Sequence, residues 1–444
     1  MPDWQAWPFP TEDPYPAYLA ARARAPVQWN EQLGAHLVLS YEHAADVLRS
    51  PEWSSDPRNS PQLLASLGGP GPVSEQWSRS LLMSDPPAHT RLRAAVNRFF
   101  TPRAVRRIRG RVAAIVEAAF AALAEGETIE LMSELAYPIP LAVIAELFDV
   151  GLEGAELLRS ETPTLARMLE LDPTPAEIEA ISTAAMTLML FLVPIVAERR
   201  EDPGEDLLST LVHPPDGGAA LETDEIITMC LLLLAAGHET TANLIGNGTL
   251  ALLQHPDQLD WLAHHPDLTP QAVDELLRYD SPAQVASRVA RNDLTLGGVS
   301  VRKGQQALVV LGAANRDPAR YSDPDRLDLT RAGPPHLAFG NGPHFCVGAG
   351  LARLEAQETF IRLSQSPLRP RVHSWSHLRD DSRTFRRLQT LRIEDKRLEA
   401  GRLLGVAQPG WRDTARYSKH SLEGRPRGWD MTTPRAATTQ GDSA

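Results

Sequence analysis

A single cysteine inside a glycine-rich loop constrains this chain more than any other feature of its sequence. Cys346 lies in the segment 339–348, FGNGPHFCVG, and a helical pattern follows it over 349–364. Several peptide N–H groups of such a loop can point at one sulfur, and the N-terminus of the following helix adds a positive dipole end. A thiolate held in this way is well suited to bind haem iron. The alternative is a small buried apolar cysteine in an ordinary glycine turn.

Composition narrows the class of protein. The chain has 444 residues, 43% of them apolar, which is enough for one large domain. Lys and Arg total 44 against 56 Asp and Glu, a net charge of −12 that argues against nucleic acid as a partner. Only Cys230 accompanies Cys346, so we expect no disulfide framework and a reducing cytoplasm. We see no signal peptide, the apolar stretch around 226–237 is too short to span a membrane, and we expect a monomer.

The residue patterns predict a mainly α fold with a smaller β region. A capping box at Thr174 predicts a helix start, and 223–254 reads as one buried helix about 45 Å long. The segment 51–83 is rich in Pro, Ser and Gly and reads as a long loop. The residues 396–444 are polar without a sustained period, which predicts a disordered tail. The other predicted elements are helices over 41–49 and much of 87–264, and strands at 27–30, 36–40, 287–290, 294–296, 306–311 and 384–393.

Polar residues interrupt the middle of the predicted buried helix. Gly237, Glu239, Thr240 and Thr241 follow a fully apolar run, and together they predict a local opening, such as a π-bulge, beside a ligand. A carboxylate at Glu239, far from both helix ends, needs a partner or a task. The alternative is an ordinary polar helix surface. His238 is expected to pack or to face solvent.

These motifs, in this order, resemble the cytochrome P450 family of thiolate-haem monooxygenases. The family's haem-ligand signature, Phe-x-x-Gly-x-x-x-Cys-x-Gly, is matched at Phe339, Gly342, Cys346 and Gly348. The resemblance covers roughly residues 10–395 and is closest to the soluble bacterial branch. It implies the cytochrome P450 fold, with a long central helix over the haem, and a haem domain at 1–395 followed by the tail.

The resemblance also implies roles for individual residues. Glu239 and Thr240 match the family's acid–alcohol pair, which relays protons to dioxygen and is therefore catalytic. Cys346 matches the metal ligand of haem b (iron protoporphyrin IX). The implied cofactor-binding residues, the first four of them propionate ligands, are His89, Arg93, Arg288, His344, Cys346, Phe339, Gly340, Gly348 and Ala236.

A structural network is implied upstream of the cysteine. Glu275 and Arg278, three residues apart on one helix face, match the family's Glu-x-x-Arg motif. Arg326 matches the third member of this ion-pair network, which fixes the loop that carries Cys346. Leu327 departs from the family, where phenylalanine usually follows the arginine, so local packing is expected to differ.

An arginine-rich segment predicts a surface for an electron donor. Eight arginines and no acid occur in 91–111 of an otherwise acidic protein, and Arg353 is a candidate ninth member. A solvated basic face is the simpler interpretation. The resemblance implies an acidic ferredoxin with its reductase, and opposite charge would steer the encounter.

The substrate pocket is placed by the resemblance alone. Its candidate residues are apolar, which suits a hydrophobic small molecule, and each of them is equally compatible with ordinary core. They are Leu81, Leu82, Met83, Leu232, Ala236, Val285 and Ala286, and Met168, Leu169 and Leu171 are candidates for a mobile lid. Macrolides, terpenoids, steroids and fatty acids all stay open, within secondary metabolism.

The sequence thus favours a cytoplasmic monooxygenase that hydroxylates or epoxidises a hydrophobic molecule with O₂ and electrons from NAD(P)H. Three alternatives stay open. One is a peroxygenase that uses H₂O₂, which the Glu239–Thr240 pair disfavours. The others are a haem-binding sensor or carrier without turnover, and a helical binding protein without a cofactor.

Overall fold

The structure is a computed structural model that describes residues 12–66, 72–123, 128–171, 173–214, 221–366, 371–377, 382 and 384–394. The predicted tail at 396–444 lies outside these residues. Helices dominate the described part. In chain order they are α1 (Tyr15–Arg24), α2 (Tyr41–Arg49), α3 (Pro61–Ser66), α4 (Pro72–Ser78), α5 (Ala88–Asn97), α6 (Pro102–Ala121), α7 (Pro138–Phe148), α8 (Gly151–Ala166), α9 (Pro175–Glu201), α10 (Leu207–Val212), α11 (Thr223–Gln254), α12 (Pro256–His264), α13 (Thr269–Tyr279), α14 (Leu311–Ala314) and α15 (Ala349–Gln365).

The strands form three small sheets at the edges of the helical body. They are β1 (Val27–Asn30), β2 (Ala35–Val38), β3 (Trp53–Ser54), β4 (Thr128–Glu130), β5 (Val285–Ala290), β6 (Leu294–Leu296), β7 (Val299–Val301), β8 (Gln306–Val310), β9 (Arg371–His377) and β10 (Leu388–Glu394). The largest sheet has the order β1-β2-β8-β5-β3, and the others are β4-β10-β9 and β6-β7. Only β2 and β8 pair in parallel among these strands. The mainly α fold with a smaller β region is confirmed.

Local signals predicted several boundaries correctly. The Thr174 side chain accepts a bond from the Glu177 N–H, and Glu177 caps Thr174 in return, so α9 begins at Pro175 as expected. Gly34 turns the chain between β1 and β2 with φ of +58°. Other predictions were wrong. The segment 51–83 is not one long loop, because it contains β3, α3 and α4. Strands β4, β7 and β9 were not predicted either.

The central helix is α11, which packs against α7, α8, α9, α13 and α15. Its 32 residues make it about 48 Å long. Nearly all of its length is buried, as its apolar composition predicted. It also approaches α15 closely, because a Cβ atom on Gly248 would lie 2.5 Å from the ring of Phe360. Since α15 follows the cysteine loop directly, this contact fixes the loop relative to the central helix.

Helix α9 differs from the other long helices because it is apolar on its outer side as well. By length and composition alone it qualifies as a membrane-spanning candidate, although only a third of its most apolar window is buried. Such a helix is weak evidence for a membrane, since core helices of soluble proteins pass the same criterion. The residue pattern led us to expect the longest apolar stretch at 226–237, but among the described residues only α9 meets this criterion.

Candidate active site

The loop around Cys346 has a shape that requires glycine. Gly340 and Gly342 have φ angles of +73° and +72°, in the left-handed region that other residues rarely adopt. A Cβ atom on Gly342 would lie 2.7 Å from the carbonyl oxygen of Leu48. The Cys346 N–H donates to the Phe339 carbonyl at 2.9 Å and closes the loop. The backbone conformation of this loop therefore requires glycine at positions 340 and 342.

The environment of the Cys346 sulfur opposes and supports a thiolate at the same time. Burial raises the pKa of the Cys346 thiol, while the N–H groups of Gly348 and Ala349 lower it. The positive charges of Arg93 and Arg353 lower it further. The expected backbone donors and helix start are thus present, but they do not outweigh burial. A bond to a metal cation deprotonates a thiol outright, so the residues suit a metal ligand better than a free thiolate.

Four basic side chains from three separate segments converge next to Cys346. They are His89 and Arg93 of α5, Arg288 of β5, and His344 of the cysteine loop. The rings of His89 and His344 lie 4.1 Å apart between centroids. Burial first, and then Arg288, His89 and Arg93, lower the pKa of His344 to about 2. Burial followed by Arg93 lowers the pKa of His89.

Arg288 is the member of this cluster that most needs an anion. It is 91% buried, since its relative exposure is 9%, and it forms no ion pair with a carboxylate among the described residues. Its Nη1 atom donates to the Ser287 carbonyl at 2.7 Å. Burial lowers its pKa to about 10, and only the more distant charge of Asp85 opposes that shift. A buried guanidinium without a partner is costly.

These residues fit a haem with two propionates. Carboxylates would compensate Arg288 and would accept a bond at the Nε2 atom of His89, which is buried without a hydrogen-bond partner in the described structure. A Cβ atom on Gly348 would meet nothing within 4 Å, so there is open space beside the sulfur. Phe339 is half-buried below the Arg353 guanidinium, 4.6 Å from ring centroid to Cζ. The structure thus brings His89, Arg93, Arg288 and His344 together near Cys346. Ala236 lies on α11, where it packs against an apolar cluster.

The central helix does not open at Thr240. Helix α11 is α-helical throughout, so the predicted π-bulge is wrong. The Thr240 hydroxyl donates to the Ala236 carbonyl at 2.7 Å, as expected for a threonine that bonds one turn back. Gly237 has a packing reason instead, because a Cβ atom there would lie 3.0 Å from Cδ1 of Ile144. Thr240 and Ala236, four residues apart, share one helix face.

Glu239 has a partner that the sequence did not reveal. Its Oε1 atom lies 2.9 Å from Nε of Arg387, and Asn243 donates to the same oxygen at 3.2 Å. Arg387 also contacts Glu170, with 2.9 Å between Nη2 and Oε1. No motif or spacing connects positions 170, 239 and 387, so the sequence offered no signal for this cluster. His238 packs as expected: it is buried beside Tyr137, with ring centroids 5.5 Å apart.

The predicted structural network exists, but with a different third member. Glu275 and Arg278 form a buried bidentate pair at 2.7 and 2.8 Å. The prediction for Arg326 is wrong: Arg331 contacts Glu275 at 3.1 Å instead. Arg326 contributes its backbone carbonyl, which accepts bonds from Arg278 and Arg331, while its side chain is exposed. Leu327 is buried in a core cluster, so the packing accommodates leucine where the family usually has the larger phenylalanine.

Most predicted pocket residues share one apolar cluster. Leu81 and Leu232 are buried in it, and Leu82, Met83 and Ala236 pack against it while half-buried. Met168 and Leu169 join the same cluster, whereas Leu171 packs elsewhere. Sequence reasoning missed a small cavity beside this cluster, between α4, α9 and α11. Its lining includes Trp77, Met168, Met189 and Leu231.

The two pocket candidates of β5 face opposite ways. Ala286 lies two residues from Arg288 and therefore shares its face of the strand. The prediction for Val285 is wrong, because its side chain points to the other face and packs in a cluster with Tyr15 and Leu308. Alternation of side chains along a strand makes the two assignments mutually exclusive.

Several arginines of 91–111 have carboxylate partners. Arg91 pairs with Glu225, Arg109 with Glu358 at 2.8 Å, and Arg111 with Glu146 at 2.7 Å. Arg353 likewise pairs with Asp274 at 2.7 Å. Exposed side chains without an ion pair in the described part of the chain are Arg103, Arg106 and Arg107. The free basic surface is therefore smaller than the sequence indicated.

Known proteins share this architecture and sequence. A family model described as Cytochrome P450 matches residues 144–366. Cytochrome P450 107B1 of Saccharopolyspora erythraea is 41% identical over 336 residues, which are 74% of this chain and 81% of that protein. The 6-deoxyerythronolide B hydroxylase of the same organism is 38% identical over 354 residues, 78% of this chain and 86% of that protein.

The fold comparison agrees with the sequence comparison. The crystal structure of CalO2 superposes with a TM-score of 0.81 at 30% identity, and the match covers 89% of this chain and 98% of that one. The range that the family model matches includes Cys346, His344 and Arg288. This chain belongs to the cytochrome P450 family.

Proposed function

We propose that this cytochrome P450 monooxygenase inserts one atom of O₂ into a hydrophobic small molecule, by hydroxylation or epoxidation, with haem b as its cofactor. The observation that carries the proposal is the convergence of Cys346 with the unpaired, buried Arg288 and its basic neighbours. No carboxylate of the described chain pairs with Arg288, whereas a haem brings two. When bound, haem supplies the activation of O₂, which consumes two electrons and two protons and releases one oxygen atom as water.

The chain's own residues would hold the cofactor from two sides. Cys346 would supply the thiolate that binds the haem iron. His89, Arg93, Arg288 and His344 would bind the propionates. Phe339, Gly340 and Gly348 would shape the cysteine side of the site, and Ala236 would line the opposite side on α11.

Proton delivery would fall to Thr240 and Glu239. The Thr240 hydroxyl now donates to the Ala236 carbonyl, so it must rotate before it can donate into the site. The Glu239 carboxylate lies 2.9 Å from the Arg387 guanidinium and also accepts a hydrogen bond from Asn243. Glu239 would therefore have to leave this ion pair before it could pass a proton on to Thr240.

A separate acidic ferredoxin with its reductase would deliver electrons from NAD(P)H. The exposed Arg103, Arg106 and Arg107 support such a docking surface, because they carry charge without ion pairs among the described residues. We place the enzyme in the cytoplasm. The net charge of −12 disfavours nucleic acid as a partner.

For the substrate we propose a chemical class and no individual compound. The cluster of Leu81, Leu82, Met83, Leu232 and Ala236 suits an apolar molecule. A related chain is named a hydroxylase of 6-deoxyerythronolide B, which supports a product of secondary metabolism as substrate. A screen of candidate substrates for a shift in the absorbance spectrum of the haem-loaded protein would narrow this class.

The carbon-monoxide difference spectrum of the reduced protein tests the proposal. We expect the thiolate-type band in the wild type and its loss in Cys346→Ser, together with loss of product. Retention of wild-type product yield in Cys346→Ser would contradict the proposal. Turnover with H₂O₂ but none with ferredoxin and NADPH would favour a peroxygenase, and haem binding without any turnover would favour a sensor or carrier.

A further inference from the structure

The small cavity between α4, α9 and α11 contains a polar group that the fold itself does not use. Trp77 of α4 lines this cavity and is 6% exposed, and its Nε1 atom has no hydrogen-bond partner among the described residues. The N–H group of a buried tryptophan usually finds a partner, because a buried donor without one keeps the full cost of its desolvation. No other side chain of the described lining has a buried nitrogen or oxygen atom without a partner.

The other polar side chains of the cavity bond to the protein. The Nε2 atom of Gln76 donates to the Thr228 hydroxyl at 3.1 Å, and that hydroxyl donates to the Asp224 carbonyl at 2.7 Å. The Ser182 hydroxyl donates to the Ile178 carbonyl at 2.7 Å. The indole N–H is therefore the donor that is left for a ligand.

The rest of the lining is apolar and adaptable. It includes Met168, Met186 and Met189, whose unbranched thioether side chains change shape easily around a ligand. The described lining carries no charged side chain, so a carboxylate or an ammonium group would be buried here without a counter-charge. The volume is about 40 Å³, which is room for a few atoms only. The cavity therefore suits a small neutral part of a larger molecule.

The cavity lies beside the proposed substrate pocket. Trp77 belongs to the same apolar cluster as Leu232, and Ala236 packs against that cluster. Leu231, which lines the cavity, precedes Ala236 by five residues and Thr240 by nine, or about 8 and 14 Å along the axis of α11. A ligand with one end in the cavity and its reacting carbon beside Ala236 or Thr240 must span this distance.

We propose that this cavity is a subsite of the substrate pocket, in which the Trp77 N–H donates to a neutral acceptor oxygen of the substrate, such as a ketone, lactone or ether oxygen. Indole is a donor only, so the group in the cavity must accept. A site with a buried donor discriminates strongly against an analogue that lacks the acceptor. The subsite favours oxygenated macrocycles, terpenoids and steroids over hydrocarbons and fatty acids. This inference rests on the proposed function, because it extends the substrate pocket of that enzyme.

Binding of two matched ligands to the full-length, haem-loaded protein tests the subsite. Cyclopentadecanone and cyclopentadecane differ by one carbonyl oxygen, and Trp77→Phe keeps an aromatic ring but removes the donor. We expect Trp77→Phe to weaken binding of the ketone about tenfold and to leave binding of the hydrocarbon within about twofold of the wild type. Trp261→Phe is the matched control, because Trp261 lies on α12 and packs against a different core cluster, and it should change neither affinity.

The indole N–H can also be observed directly. In the reduced, carbon-monoxide-bound protein, the Trp77 indole N–H gives an NMR signal that is identified by its absence from Trp77→Phe. Cyclopentadecanone should move this signal downfield, as expected for a donor that gains an acceptor. This measurement reports binding without any turnover.

A second variant and a charged ligand complete the test. Ala185→Val narrows the cavity from α9 and should also weaken binding of the ketone, and circular dichroism confirms that each variant is folded. Pentadecanoate should bind equally well to the wild type and to Trp77→Phe, because its charge excludes it from the cavity. A tenfold loss for pentadecanoate would overturn the restriction to neutral groups.

Three results would overturn the subsite itself. Unchanged ketone affinity in Trp77→Phe would mean that the N–H does not bind the ligand, and equal losses for ketone and hydrocarbon would assign Trp77 to packing alone. The third is a wild type that shows the thiolate-type carbon-monoxide band but does not bind the ketone. That result removes the subsite and leaves the proposed function standing, whereas absence of the band contradicts the proposed function.

Discussion

The Nε atom of Arg387 lies 2.9 Å from the Oε1 atom of Glu239, in the middle of the central helix. The Nη2 atom of the same guanidinium lies 2.9 Å from the Oε1 atom of Glu170, which belongs to the connection between α8 and α9. All three side chains are at least 93% buried, with exposures of 5 to 7%. One cation thus serves two buried carboxylates. The acid assigned to proton delivery is therefore held by residues that lie far from it in the sequence.

A double-mutant cycle tests whether Glu239 and Glu170 share this cation. Glu239→Gln or Glu170→Gln alone leaves Arg387 with one carboxylate, and we expect each to cost about 1 kcal/mol of unfolding free energy. The double variant leaves Arg387 buried without a carboxylate, so its cost should exceed the sum by about 1–3 kcal/mol. Urea unfolding of the three variants measures this difference.

The control for this cycle combines Glu239→Gln with Glu156→Gln. Glu156 forms an exposed ion pair with Arg159 and contacts neither Arg387 nor Glu170. The two costs should therefore add. Additive costs for Glu239 and Glu170 as well would show that Arg387 does not couple them.

The corrected ion-pair network predicts different costs for two neighbouring arginines. Arg331→Ala removes the 3.1 Å contact with buried Glu275, and Arg278 still compensates that carboxylate. We expect a loss of about 1–3 kcal/mol for Arg331→Ala and less than about 0.5 kcal/mol for Arg326→Ala. Thermal unfolding compares the two variants directly. A larger loss for Arg326→Ala would contradict the assignment of Arg331.

The basic cluster predicts weaker cofactor retention in Arg288→Gln. The variant removes the buried cation assigned to a haem propionate, so haem should dissociate at least about tenfold faster. Transfer of haem to apomyoglobin, followed by absorbance, measures this rate. Arg159→Gln is the control, since Arg159 is exposed on α8. Unchanged haem loss in Arg288→Gln would remove Arg288 from the cofactor site.

Glu355 predicts a pH-dependent loss of stability. It is buried in α15, its Oε2 atom has no hydrogen-bond partner in the described structure, and burial raises its pKa from 4.5 to about 8. The folded state therefore holds a proton that the unfolded state releases above pH 4.5. The stability from this group is complete below pH 4.5 and is lost as the pH rises to about 8.

Glu355→Gln should remove that dependence. Between pH 5 and pH 8 the wild type should lose on the order of 3 kcal/mol more unfolding free energy than the variant. Chemical denaturation at both pH values measures the difference. Parallel pH profiles for the two proteins would show that Glu355 is ionised in the folded state or compensated there.

The sequence by itself determined the features that depend on neighbouring residues. The Cys346 loop, the Glu275–Arg278 pair and the start of α9 at Thr174 follow from local backbone geometry and one-turn spacing, so short motifs were sufficient. The extent of α11 followed from its largely apolar sequence between Thr223 and Gln254, since a helix buried on all sides needs no partner-specific information.

Only the tertiary structure decided which distant side chains meet. Three outcomes depend on contacts between elements far apart in the chain: Arg387 beside Glu239, Arg331 in place of Arg326, and Val285 in the cluster with Tyr15 and Leu308. The exposure of the apolar outer side of α9 could likewise not be predicted from the sequence, because composition does not distinguish a buried apolar face from an exposed one. Spacing along a chain fixes which side of an element a residue occupies, whereas the packing of elements fixes what that side touches.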